Sequence, residues 1–186
     1  MSYFVRPWRA HRADGQESRI CIYHIAMSIQ QLLSPQRVMP AVPASNKQLL
    51  LEKLSSLLHE GEPDVDVRLA LQSMLDREKL GSTGIGDGVA IPHGRVKGLK
   101  KAIGAFVTLE HEMDYDALDR KPVRMAFALL VPDSAHQEHL RWLRELAMLF
   151  SNKAIREHLL HAKTSEELYR TLTESSPVHD HAHSHR

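Results

Sequence analysis

The sequence predicts an α/β fold, with a β-sheet sandwiched by helices. Three observations carry this reading. Two helical patterns with start and stop signals precede residue 80. Two β-branched and aromatic runs follow, KAIGAFVTLE (101–110) and VRMAFALLVP (123–132). Helical periodicity then returns from Ala135 to the end of the patterned sequence.

Taken in order, residues 1 to about 44 show no sustained periodicity, and PAVPAS (40–45) reads as a proline-punctuated connector. Ser45 with Gln48 forms a capping box, and Leu50, Leu51, Leu54, Leu57 and Leu58 follow at helical spacing until Gly61. A second helix is expected from about Asp66 to Lys79, with Leu71, Met74 and Leu75 apolar and Gly81 beyond its end. The glycines of GIGDG (84–88) come next and lead into a short strand, Val89–Ile91. The run 123–132 is almost continuously apolar, as a central strand covered on both faces requires. The polar HEMDYDALDRKP between the two long runs is a loop or a short edge element. From Ala135 a third helix places Leu140, Leu143, Leu146, Ala147 and Phe150 on one side. Two short helices complete the pattern. The last starts at a Thr164–Glu167 capping box, with Leu168 and Leu172 one turn apart.

The chain has 186 residues, within the range of a single domain and long enough for a real core. Its formal net charge is +1, so no global basic field points to nucleic acid. A single cysteine, Cys21, allows no intramolecular disulfide, and a reducing, cytoplasmic setting is the natural expectation. No apolar run is long enough to span a bilayer, and His24 interrupts ICIYHIAM near the N-terminus, so membrane insertion and a secretory signal are not expected. Histidines alternate at 179, 181, 183 and 185. A disordered terminus is preferred there over a transition-metal chelating tail.

The stretch GIGDGVAIPHGR (84–95) carries the most chemistry. Pro92 fixes its own φ, lacks an amide hydrogen and biases Ile91 towards extended backbone. Gly94 permits a sharp bend or a close approach by another group. His93 is therefore expected at the end of a short strand, exposed on a stiff platform. The glycines match neither the dinucleotide fingerprint nor the nucleotide P-loop, and a tight turn is the better reading. His136 and His139 lie i,i+3 with Glu138 between them, which is no zinc-hydrolase pattern. An exposed His136 and a half-buried His139 are expected instead. No G-x-S-x-G elbow is present. Two readings of His93 remain on these residues alone: an ordinary surface histidine, or a covalent phosphoryl carrier for which Arg77 and a second histidine would supply donors.

DREKLGSTGIGDGVAIPHGR (76–95) closely resembles the IIA phosphocarrier proteins of the bacterial phosphotransferase system. The resemblance continues through FALLVPDSAHQEHLRWL and TSEELYRTL, covering about residues 27–174. The nearest branch is the nitrogen-related one, a relative of the mannitol and fructose IIA domains. It implies a single domain with a mixed central β-sheet flanked by helices. It further implies phosphorylation of His93 at Nε2, a neighbouring histidine at His139 and a nearby arginine at Arg77, with no metal or cofactor. Residues 1–26 then form an extension, upstream of the true start or held as a loose arm, and 175–186 a tail.

The same resemblance names partners. The donor would be a small histidine phosphocarrier protein, and the targets regulatory, of the kinds represented by potassium transport and sensor kinases. With no fused second domain in this sequence and no cysteine after residue 21, a regulatory carrier is preferred. The alternative is a sugar-specific, mannitol/fructose-type IIA component acting in carbohydrate uptake.

Overall fold

The computed structural model of the protein describes residues 29–174. The N-terminal extension with Cys21 and the histidine-rich tail lie outside the described residues. Among the described residues the expected single α/β domain is observed, with five α-helices and a six-stranded mixed sheet. The strands are β1 (Val38–Val42), β2 (Gly84–Gly86), β3 (Val89–Ala90), β4 (His93–Val96), β5 (Ile103–Met113) and β6 (Val123–Pro132). The helices are α1 (Lys47–His59), α2 (Val67–Lys79), α3 (His136–Ser151), α4 (Lys153–His161) and α5 (Ser165–Thr173).

The sheet order is β1-β5-β6-β3-β2, with β4 also on β6. The pairs β1–β5, β3–β6 and β4–β6 are parallel, while β2–β3 and β5–β6 are antiparallel. As the apolar run predicts, β6 is central and buried along almost its whole length. Its side chains alternate between two cores. Met125, Phe127, Leu129 and Val131 join Trp142, Leu146 and Phe150 beneath α3 to α5. Ala126, Ala128 and Leu130 join Leu50, Leu54 and Met74 beneath α1 and α2.

Several local expectations shift. Helix α1 is capped by Asn46, whose side chain accepts the Leu49 N–H, and not by Ser45. The connector at 40–45 contains part of β1, a strand that Pro40, the positive φ of Ala41 and a register shift conceal from any period-2 test. The 101–110 strand starts at Ile103 and runs on to Met113. On α3 the inward face is Trp142, Leu146, Leu149 and Phe150. Leu140 is 61% exposed, and Ala147 is exposed as well.

The glycine-rich segment is a hairpin. Asp87 and Gly88, both at positive φ (55 and 79), make the two-residue turn between β2 and β3, the backbone shape for which Asp-Gly is well suited. Strands β3 and β4 then follow one register along β6, from Val89↔Met125 to His93↔Leu129. They are one strand interrupted at Ile91–Pro92, where proline removes a ladder donor while its carbonyl still accepts from the Leu129 N–H.

Candidate functional site

That continuous register corrects the placement of His93. It opens β4 instead of ending a strand, and it is buried, at 8% exposure, where an exposed ring was expected. Strand alternation sends His93 and Arg95 to the α3 side and Gly94 to the α2 side. A methyl group at Gly94 would meet the Ser73 side chain, including its Cβ at 2.7 Å, so this glycine admits α2 against β4. Of the two roles open to Gly94, close approach is the one realised.

The His93 ring is oriented by a single bond of high information content. Its Nδ1 lies 2.7 Å from the Ile91 carbonyl oxygen. A carbonyl can only accept, so Nδ1 carries the hydrogen and Nε2 holds the lone pair. Burial lowers the pKa of His93 most; the Ile91 bond opposes that, the Arg77 charge adds to it, and the Glu78 charge opposes it. The ring is thereby kept neutral and nucleophilic at neutral pH.

His139 meets it edge-on, with ring centroids 5.2 Å apart and planes at 67°. The expected half burial of His139 and exposure of His136 are both observed. Burial, followed by the positive influence of His93, Arg95, Arg77 and His136, lowers the His139 pKa to about 4. Its Nε2 is buried and has no hydrogen-bond partner. Such an atom loses solvation without compensation unless a ligand supplies an acceptor or donor. Arg77, at the end of α2, donates to the Gly81 carbonyl at 2.9 Å and acts electrostatically on both rings.

Two further features escaped the sequence reading. Arg95 donates to Nδ1 of His136 at 2.6 Å, a second link between β4 and α3 alongside the histidine pair. Its i+2 spacing from His93 on a strand was the available signal. Glu78 is buried beside the site, with its carboxylate on Thr83, Tyr115 and Lys47. Here the signal was a carboxylate at i+4 from Met74 and i+8 from Ala70, within the buried stripe of α2.

Residues 31–175 match the family described as "Phosphoenolpyruvate-dependent sugar phosphotransferase system, EIIA 2". The chain is similar to a nitrogen regulatory protein of Pseudomonas aeruginosa, 39% identical over 146 residues, 78% of this chain and 95% of that protein. The crystal structure of nitrogen regulatory protein IIA-Ntr from Neisseria meningitidis matches with a TM-score of 0.73 and 41% identity, over 78% of this chain and 99% of that one. IIA mannitol from Escherichia coli shares the fold, with a TM-score of 0.65 at 23% identity, over 75% of this chain and 98% of that one. The family model covers most of the chain, and the protein belongs to the EIIA 2 family of the phosphotransferase system.

Proposed function

We propose that this protein is a phosphohistidine carrier and regulator of the nitrogen-related phosphotransferase branch, accepting a phosphoryl group on Nε2 of His93. Membership of a phosphotransferase family supports phosphoryl transfer in general, and the similarity to nitrogen regulatory proteins supports the branch. The observation that carries the site is the 2.7 Å bond from Nδ1 of His93 to the Ile91 carbonyl. It leaves Nε2 as the one ring atom with an available lone pair.

The donor is a small histidine phosphocarrier. The Nε2 lone pair of His93 attacks phosphorus, and the donor's N–P bond breaks with its electron pair returning to the donor ring. Each imidazole keeps the proton on its other nitrogen, so no net proton transfer is needed. One N–P bond replaces another, and catalysis reduces to alignment and charge stabilisation. His139, through its unpartnered Nε2, and Arg77 are the groups we assign to the phosphoryl oxygens. About two added negative charges on this face would then alter its binding to regulatory targets such as potassium-transport or sensor-kinase systems.

Incubation with phosphoenolpyruvate and the upstream transfer proteins should give one acid-labile, base-stable phosphate per chain. His93→Ala should take up none. Because the ring is buried, His93→Gln, which fills more of the space, serves as a folded control that also takes up none. Undiminished labelling of either variant would overturn the assignment.

A further inference from the structure

We propose that Glu78 and Thr83 are positioning residues that set the tautomer and orientation of His93 through hydrogen bonds joined by the backbones of Thr83 and Ile91, an inference that rests on the carrier reading above. The run starts on the buried side of α2. Glu78 Oε1 accepts the Thr83 backbone N–H at 3.0 Å, and Oε2 accepts the Thr83 hydroxyl at 2.5 Å. The Thr83 carbonyl accepts the Ile91 N–H at 2.9 Å. The Ile91 carbonyl in turn accepts Nδ1–H of His93 at 2.7 Å. The N–H and C=O of one residue belong to different peptide planes, so the run transmits position through the backbones of Thr83 and Ile91.

Burying a carboxylate is costly unless it is paired, and an apolar side chain at position 78 would simply have continued the stripe of Ala70 and Met74. Glu78 is instead paired on every side. Lys47 Nζ lies 3.1 Å from Oε1, and the buried Tyr115 hydroxyl donates to Oε2 at 3.3 Å. The Lys47 ammonium also sits over the Tyr115 ring, 4.5 Å from its centroid. The carboxylate therefore holds Thr83 from a fixed point. Thr83 holds the N–H side of Ile91, and Pro92 stiffens the other side. The carbonyl that reads the His93 proton is immobilised at both ends.

This matters most when phosphorus is transferred. A ring that gains a phosphoryl group at Nε2 and keeps its Nδ1 proton becomes formally cationic. The Ile91 carbonyl and the Glu78 charge both favour the cationic ring, against burial and the Arg77 charge. The same run that presents the lone pair before transfer thus stabilises the charge formed during it.

The deciding variants are Thr83→Val, which removes the hydroxyl while retaining shape and backbone N–H, Thr83→Ser, which restores the hydroxyl, and Glu78→Gln. Nitrogen-15 imidazole shifts of the unphosphorylated protein report the His93 tautomer and need no donor. The unaltered protein and Thr83→Ser should hold Nδ1–H, whereas Thr83→Val and Glu78→Gln should show mixed tautomers. Phosphoryl uptake should slow about tenfold or more in the latter two, with KM for the donor unchanged. Tyr115→Phe, which takes one hydroxyl from both the carboxylate and the Thr83 hydroxyl but leaves the two Glu78–Thr83 bonds, should lower stability without moving the tautomer. A folded Thr83→Val with an unchanged tautomer overturns the proposal, as does a tautomer that tracks stability across all the variants. Absence of uptake by the unaltered protein would instead overturn the carrier reading, and the tautomer comparison would still judge the positioning role.

Discussion

His139 ionises far from its ordinary range, and the sign of that shift makes a prediction. In the unfolded chain a histidine titrates near 6.5; in the folded protein burial and its cationic neighbours bring His139 to about 4. Below pH 6.5 the unfolded state therefore binds a proton that the folded state refuses. The stability tied to this ring is complete above pH 6.5 and is lost progressively as pH falls towards 4. His93, also lowered, adds in the same direction. Denaturant unfolding between pH 7.5 and 4.5 should show a shallower loss for His139→Gln than for the unaltered protein, since the carboxylates common to both cancel in the comparison. Parallel curves would refute the assignment. At pH 7 the same variant should slow phosphoryl uptake, with the label still on His93.

At the scale of elements, the contact between α2 and β4 positions the site. Gly94 has no side chain because Ser73 occupies that space, its backbone carbon 3.0 Å from where a Cβ would sit. Gly94→Ala should force α2 and β4 apart, at a cost of about 1–3 kcal/mol. His93 precedes Gly94, and the start of the Glu78 run lies on α2, so uptake should fall together with stability. The double change Gly94→Ala with Ser73→Gly should recover part of both, measured by thermal unfolding and labelling. Lack of any recovery would mean that the strain lies elsewhere. On the opposite side, α3 turns His139 and Trp142 inward at i,i+3 and leaves Leu140 outward. Counting leucines selected a face rotated from the real one, because a histidine and a tryptophan occupy its inner edge.

For the molecule as a whole, the central sheet is covered on both faces, and the histidine pair joins the β3–β4 strand to α3 at one end of it. We propose that residues 27–174 suffice for phosphoryl acceptance, because periodicity is missing before residue 27 and the tail is a run of alternating histidines. Removing residues 1–26 should leave the thermal midpoint and the uptake rate unchanged. A large loss of either would show that the extension belongs to the working unit. Among the described residues no helix is long and apolar enough to cross a membrane.

The sequence by itself determined whatever is decided within about one helical turn or one strand. Asp66 and Thr164 cap the helices that follow them, the leucines of α1 mark its buried face, and the apolar run at 123–132 is the central strand. The Pro-His-Gly triplet singled out His93 for the same reason, since proline and glycine act on adjacent backbone. Tertiary structure alone decided the rest. Pairing with β5 makes a strand of Val38–Val42 despite its proline and bulge. Register along β6 carries the chain through Pro92 and buries His93, a ring that local cues leave exposed. The meeting of His93 with His139, and of Glu78 with Thr83, Tyr115 and Lys47, depends on how α2 and α3 pack on opposite faces of one sheet. Those contacts are set by strand register and helix packing summed over the whole core, and no short window of residues contains them.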